Sequence, residues 1–245
     1  MNADFSSWAG LYAQARPSYP PALFEYLAGL CPRRHLAWDC ATGNGQAALG
    51  LADHFARVVA SDQSLAQIRE AVPHPRIAYR VATAEQSALP DAVLDLVTVA
   101  AAFHWFDREA FDRELSRVLR RGGVAAVWSY HAAYMESEVG DVLRSFYFDV
   151  VRRYFPPGFE LVDDRYEGIR LPGTAIAAPT FWMEADWDRD QLLAFVRSWS
   201  GTQAYLREHG RDPSERLRDP LVGLFAGEGG RRRLRWPLYL RVSRL

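Results

Sequence analysis

The chain has 245 residues, of which 49% are apolar and 24% charged, and a formal net charge of −1. That balance excludes a disordered, collagen-like or coiled-coil chain, and it argues against a nucleic-acid partner held by counterion release. All 29 basic residues are Arg. Without Lys, a Schiff base, a P-loop and a Tyr/Lys dehydrogenase pair are impossible. The length suits one domain with a modest insertion and an ample core. Cys31 and Cys40 make neither a disulfide scaffold nor a four-cysteine zinc site, and the six His show no metal-binding spacing, so no metal is expected. The first fifteen residues have no basic segment before an apolar run. The longest apolar run, Val93 to Phe106, is interrupted by Asp95, Thr98 and His104. The expectation is a cytoplasmic protein with no membrane partner.

Strand and helix alternate through the first half. Leu36 to Cys40 reads as a short buried strand, Gly43 to Gly45 as a turn, and Gln46 to Phe55 as a helix with Leu49, Ala52 and Phe55 on one side. Arg57 to Asp62 is a second strand and Ser64 to Ala71 a helix capped by Ser64. Ile77 to Val81 and Leu94 to Ala101 are strands three and four, the latter continuously apolar as a central parallel strand should be. Asp107 to Leu119 is a helix stopped by Gly122 and Gly123, and Val124 to Trp128 is strand five. This alternation predicts an α/β fold with a doubly wound parallel sheet. Beyond Tyr130 the spacing predicts one long helix over Glu136 to Phe155, ended by Pro156, Pro157 and Gly158, then an irregular stretch from Val162 to Pro179. Thr180 to Trp187 reads as a strand, Arg189 to Trp199 and Pro213 to Phe225 as helices, and Arg235 to Val242 as a closing strand. Pro237 marks that strand as an edge or a bulge. The arginines of Gly227 to Arg235 read as a solvated turn.

The strongest motif is Asp39-Cys40-Ala41-Thr42-Gly43-Asn44-Gly45-Gln46, at the handover from the first strand to the first helix. Gly43 to Ala48 also fits the dinucleotide fingerprint G-x-G-x-x-A, which keeps an NAD-dependent oxidoreductase as an alternative. Asp62 closes the second strand 17 residues after Gly45, where a carboxylate can accept from both hydroxyls of a ribose. Asp39, at the first strand tip, would repel a pyrophosphate and attract a cationic amino-acid group. The ligand implied has a ribose, a positive charge and no phosphate, as S-adenosylmethionine (SAM) does.

On these residues the chain resembles a class I SAM-dependent methyltransferase of the small-molecule type 11 kind. The matching blocks are Asp39 to Gln46, V-V-A-S-D-Q-S at Val58 to Ser64, A-T-A-E at Ala82 to Glu85, and L-R-R-G-G-V at Leu119 to Val124. Four more are similar to the trans-aconitate methyltransferase-like branch: Tyr12 to Pro20, A-F-H-W-F-D at Ala102 to Asp107, Ser198 to Tyr205, and Arg235 to Arg241. Ala41 departs from the family, standing where its loop has the first glycine. The resemblance implies a seven-stranded Rossmann-like sheet whose last two strands are Thr180 to Trp187 and Arg235 to Val242. It also implies one methyltransferase domain, with its core in about 30–130 and 180–245, an N-terminal lid over 1–25 and a helical cap insertion over about 131–179.

The same resemblance assigns roles by position. Tyr12, Arg16, Asp39, Ala41, Gly43, Gly45, Asp62, Gln63, Ala84, Glu85 and Ala100 would hold the cofactor, with Gly43 and Gly45 under its methionine part, Asp62 on the ribose, and Ala84 and Glu85 at the adenine. Arg16 would pair with its carboxylate. His104 follows the fourth strand at the edge where open α/β sheets bind ligands, and would take a proton from the acceptor or orient it. Trp105, Tyr19 and Trp199 are expected to wall a small-molecule pocket, with Arg16, Arg170 and Arg197 available to an acidic acceptor. The activity implied is methyl transfer to a carboxylate or hydroxyl by a monomer or homodimer. The remaining alternative is a SAM-binding protein without catalysis.

Overall fold

The computed structural model describes residues 17–245. Helix α1 (Pro21–Leu30) precedes β1 (Leu36–Cys40), α2 (Gln46–Ala52), β2 (Arg57–Asp62), α3 (Leu65–Arg69), β3 (Ile77–Val81), β4 (Leu94–Ala100), α4 (Arg108–Val118) and β5 (Leu119–Ser129). β1 to β5 pair in parallel in the order β3-β2-β1-β4-β5. The order reverses between β1 and β4, and the crevice outside the carboxyl ends of such strands is where open α/β sheets take ligands.

Side chains alternate across this sheet, with a break at the start of β4 where Leu94 and Leu96 fall on opposite faces. Ala37, Val58, Ala60, Leu96, Val124, Ala126 and Trp128 pack on one face with Leu23, Phe24 and Leu27 of α1 and Leu51 of α2. Trp38, Val59, Val97, Val99, Ala125 and Val127 pack on the other with Phe111, Leu115 and Val118 of α4. Both faces of the central strands are covered, which is why β1, β2, β4 and the second half of β5 are mostly apolar, while the edge strand β3 is only half-buried.

The seven-stranded sheet is present among the described residues, but its last two members differ from those expected. They are β6 (Thr174–Ile176) and β9 (Tyr239–Arg244), with β9 antiparallel to both β5 and β6. The segment expected as the sixth strand is instead β7 (Trp182–Asp188), which pairs with β8 (Arg231–Pro237) in a separate two-stranded sheet. Pro237 is the reason one C-terminal run serves two sheets. It has no N–H to give the ladder; Leu238, whose N–H reaches Phe181 O (2.8 Å), makes the last contact with the β7 side, and from Tyr239 the chain pairs with β5. The arginines of that run are not a solvated turn. Arg233 pairs with Glu184, and Arg231 with Asp186 (3.2 Å), across the two strands, and Arg235 lies 4.3 Å over the Trp182 ring.

The stretch after β5 is mostly helical. The expected long helix is α5 (Glu138–Phe146), continued through a π turn (Tyr147–Val151) and a 3₁₀ turn (Arg152–Tyr154). The stretch read as irregular holds β6 and follows the short α6 (Glu160–Asp163). α7 (Arg189–Arg197) and α8 (Ser200–His209) follow β7, then a 3₁₀ turn (Pro213–Leu217) and α9 (Arg218–Val222) where one helix was expected. No helix among the described residues is long and apolar enough to cross a membrane.

A polar lock fixes the loop between β3 and β4. Glu114 of α4 accepts from Ser87 N (2.9 Å) and from the Ser87 hydroxyl, and pairs with Arg117 (2.7 Å). Burial opposes ionisation of Glu114, yet Arg117 and Ser87 outweigh it and hold its carboxyl at about 2. A carboxylate depressed in the folded state contributes stability above its unfolded value, and that contribution is lost as pH falls through the folded one. Glu114→Gln therefore costs about 1–3 kcal/mol at pH 7. Difference melts against the wild type should show that gap closing between about pH 4.5 and 2.

Candidate active site

The loop after β1 is built around its acids. Asp62, at the end of β2, accepts from Gly43 N (2.9 Å) through one carboxylate oxygen and from Ser64 N (2.8 Å) through the other. Asp39 is fully buried and turned beneath the loop, where the hydroxyls of Thr42 (2.5 Å) and Thr98 (2.8 Å) donate to it. Burial pushes its carboxyl up to about 6, helped by the neighbouring Asp62 charge and opposed by the two hydroxyls. The Cys40 thiol is pushed up by burial and by the charges of Asp39, Glu85, Asp62 and Glu114, so the tip of β1 sits in a negative field.

Gly43 (φ +57°) and Gly45 (φ +91°) both use left-handed backbone. A Cβ on Gly45 would stand 2.6 Å from the Tyr79 hydroxyl, so a larger residue would have to push that ring aside as well as adopt the left-handed φ. Ala41, the departure from the family loop, also adopts a left-handed φ of +54°. An L-residue pays about 1–2 kcal/mol for that conformation, partly offset by its stiffer unfolded chain. Ala41→Gly is expected to be neutral to stabilising, by about 0.5 kcal/mol on balance. Denaturant midpoints of the two proteins check this, and a clear loss of stability would show that the Ala41 side chain has a packing role.

The other positions expected at the cofactor fall around this loop. Ala84 is buried, and Glu85 accepts from Asp107 N (3.2 Å), which ties the β3–β4 loop to the start of α4. Gln63 is exposed beside Asp62. Ala100 ends β4 and is followed by Ala101, again left-handed (φ +53°), whose N–H reaches Trp128 O (2.8 Å). Tyr12 and Arg16 lie outside the described residues.

Next to Ala101 a cavity of about 90 Å³ opens at the carboxyl ends of β4 and β5. Ala101, His104 and Trp105 line it from the β4 side and Ser129 to Ala132 from the β5 side. Tyr147, Phe155 and Phe159 close it from the segment after β5, and Phe195 of α7 and Trp199 before α8 close it from the other side. His104 is 8% exposed, lies 5.0 Å from the Phe159 ring and 4.9 Å from the Trp105 ring, and its Nδ1 is 3.1 Å from Tyr166 Oη. Burial pushes its imidazole down to about 3, so it is neutral at physiological pH. Gly158 (φ +93°) lets the Phe155–Phe159 turn approach, since a Cβ there would sit 2.3 Å from His104 O.

Beside the cavity stands a second buried polar group. His131 Nδ1 accepts from Ala133 N (3.0 Å), and its Nε2 lies 3.3 Å from Asp163. Asp163 also accepts from the Tyr147 hydroxyl (2.6 Å) and from Arg152 (2.5 Å). That cluster clamps the π turn against β5 and so fixes two cavity walls, Tyr147 and His131.

Of the expected pocket residues, the fold brings His104, Trp105 and Trp199 into one cavity. Tyr19 is not among the residues that line it and packs edge-on against Trp128 (5.4 Å), next to Ser129, and against Phe24 (6.5 Å). Arg197 is engaged by Asp212 (2.7 Å) and Glu215 (2.8 Å), and Arg170 by main-chain carbonyls. Sequence reasoning passed over Ser129, Tyr147, Phe155, Phe159 and Tyr166. The one signal for them was the aromatic density around Pro156 and Pro157. Among the described residues no group of three His, Cys, Asp or Glu is placed to hold a metal ion.

Comparison with known proteins agrees with this architecture. The family described as "Methyltransferase domain" matches residues 38–127, from β1 through most of β5. A solved structure named as a type II methyltransferase, from Anaeromyxobacter dehalogenans, is 38% identical with a TM-score of 0.85, over 94% of this chain and 97% of its own. A protein of Dictyostelium discoideum named as a methyltransferase is 28% identical over 98% of this chain and 94% of its own. An uncharacterized methyltransferase of Mycobacterium tuberculosis is 37% identical over 53% of each. These matches set the oxidoreductase reading aside. The chain is an enzyme, its cofactor is S-adenosylmethionine, and it belongs to the class I SAM-dependent methyltransferases.

Proposed function

We propose that the enzyme transfers a methyl group from SAM to a small-molecule oxygen acceptor, a carboxylate or hydroxyl, by direct in-line displacement. The observation that carries the reading is the aromatic-walled cavity of about 90 Å³ at the ends of β4 and β5, β4 being the strand next to β1, whose end carries the Gly43 loop. Apolar, aromatic walls with a few polar groups suit a small organic acceptor. The blocks that resemble the trans-aconitate methyltransferase-like branch, including the His104-Trp105 turn that lines this cavity, support the same class of acceptor.

The donor set of the loop suits the cofactor. The loop offers the carboxylate of Asp62 and no Arg from Ala41 to Gly45, which fits a ribose and a sulfonium rather than a pyrophosphate. Asp62 would hold the ribose and the Gly43 and Gly45 backbone the methionine part, with Ala84, Glu85 and Ala100 around the adenosine. Asp39 would act through the loop it supports and through its charge. Tyr12 and Arg16 are proposed to complete the site. When bound, SAM supplies an electrophilic methyl group on a good leaving group.

The chain's own residues then have two tasks. The aromatic walls exclude water from the acceptor, and the His104-Trp105 turn and Trp199 hold it in line, which together supply the orientation and dryness such a displacement needs. A carboxylate acceptor is already ionised at pH 7, so no residue has to act as its base. The test is a panel of small mono-, di- and tricarboxylic acids and phenols incubated with enzyme and SAM, with products read by mass. Methyl esters or ethers are expected. Exclusive methylation of amines or carbons in a broader panel would contradict an oxygen acceptor.

A further inference from the structure

We infer that the uncapped start of α8 is an anion seat in the cavity, where the main-chain N–H groups of Ser200, Gly201 and Thr202 hold a carboxylate of the acceptor. The inference rests on the proposed acceptor site and deepens it: the acceptor is a carboxylic acid bound as its anion, not a neutral alcohol or phenol.

The argument starts from the charge of the lining. Among the described residues no Arg, Asp or Glu borders the cavity. Its two imidazoles, His104 and His131, are both held neutral by burial. An anion there has to be met by dipoles, and the start of α8 supplies an oriented set. Ser198, Trp199 and Ser200, which lead into that helix, all line the cavity. α8 runs for ten residues, with Trp199 as its N-cap and no side chain bonded to its first turn. The ladder begins with Gln203 N to Trp199 O (3.0 Å), so the N–H groups of Ser200, Gly201 and Thr202 precede it. They have no hydrogen-bond partner among the described residues. No acid lies in the first turn, while Arg207 and His209 stand in the last, so only the positive end of the helix is left uncompensated. Gly201 presses this end onto a cavity wall, since a Cβ there would lie 2.2 Å from the Phe155 ring.

Two buried side chains point independently to a ligand. His104 is 8% exposed and lines the cavity; its Nδ1 faces Tyr166 Oη (3.1 Å), which lies outside the lining. The opposite ring edge carries Nε2, which has no partner among the described residues and is not walled in by protein. That edge opens on the cavity that the start of α8 also borders. Thr202, in the first turn of α8, is 1% exposed, and its hydroxyl has no partner among the described residues. Buried polar groups left unpaired are costly, and a polar ligand seated between them relieves that cost.

The experiment reads the three amides directly. ¹⁵N-labelled full-length enzyme, saturated with S-adenosylhomocysteine, is titrated at pH 7 with benzoate and with benzamide, which has the same shape and no charge. Propionate serves as a smaller acid. Expected are saturable downfield shifts of the Ser200, Gly201 and Thr202 amide protons with at least one of the acids, and at least tenfold weaker binding of benzamide. Equal responses to benzoate and benzamide, or no shift of these amides with either acid, would overturn the inference. Ser200→Asp sets a fixed carboxylate at the seat. It is expected to raise the Kd of the acid at least tenfold while Tm holds or rises, because an acid suits the first turn of a helix. Should that variant fail to fold, Ser200→Pro takes its place. Proline is accommodated at the first helical position, Trp199 before it is already extended (φ −71°, ψ 138°), and one N–H is lost with the hydroxyl. Ser200→Pro is expected to weaken the acid several-fold. Unchanged affinity in the variant that folds overturns the inference. Methyl transfer is not measured, so the two readings fail separately. These shifts with no ester from any acid of the product panel contradict the proposed transfer and keep the seat, whereas esters without these shifts end the seat alone.

Discussion

Replacing Asp62 by Ala is expected to lower the affinity for SAM at least tenfold, the largest effect on cofactor binding from any single change proposed here. A carboxylate that accepts from ribose hydroxyls makes charge-assisted bonds worth about 1.5–3 kcal/mol each, and about 1.4 kcal/mol is already a factor of ten. The structure adds a second route to the same loss. Asp62 also receives Gly43 N and Ser64 N, so its removal frees the loop that the cofactor is proposed to rest on. Calorimetric titration of the folded variant measures the change. Asp62→Asn separates the two routes, since its amide oxygen still accepts from one of the N–H groups while the charge is gone. An unchanged affinity in Asp62→Ala would place the cofactor elsewhere.

The second large effect concerns Trp199. It lines the cavity, yet it is also 6% exposed and packed against Phe195 (5.7 Å), Phe146 (6.3 Å) and Tyr147 (6.3 Å). Trp→Ala at such a site costs about 3–5 kcal/mol. For a chain of this length that is about 6–20 °C in Tm. Trp199→Ala is therefore a stability variant first. Trp199→Phe keeps the ring contacts with less bulk, and is expected to raise the acceptor KM several-fold while SAM affinity stays within about twofold. A change in SAM affinity without a change in acceptor KM would remove Trp199 from the acceptor wall.

The parallel half of the fold was legible because its strands are short, mostly apolar runs that alternate with helical spacing and are bounded by acids, glycines or caps. Even there, α4 gives way to β5 directly at Leu119, five residues before the strand was expected, because Gly122 and Gly123 sit inside β5 where its register against β4 shifts. The C-terminal half was less legible for physical reasons. β6 has three residues, too few for an alternation to show. β7 looks like a member of the main sheet until its acidic side chains find the arginines of β8, a pairing across more than forty residues that spacing alone does not display.

The candidate site divides in the same way. The Gly43 loop, Asp62 and the His104-Trp105 turn follow from strand ends, which local sequence marks. Ser129, Phe159 and Tyr166 converge on His104 only through the fold, from 25, 55 and 62 residues away. Asp39 reads as an acid facing the ligand, but two threonine hydroxyls turn it inward, and that orientation has no signature in the sequence.

The central claim is that the cofactor loop and the aromatic cavity are halves of one active site. A crystal structure with S-adenosylhomocysteine bound tests it most directly. The account predicts the ribose on Asp62 and the sulfur facing the cavity bounded by Ala101, His104 and Trp199. S-adenosylhomocysteine bound away from Asp62, or with its sulfur walled off from that cavity, would contradict it.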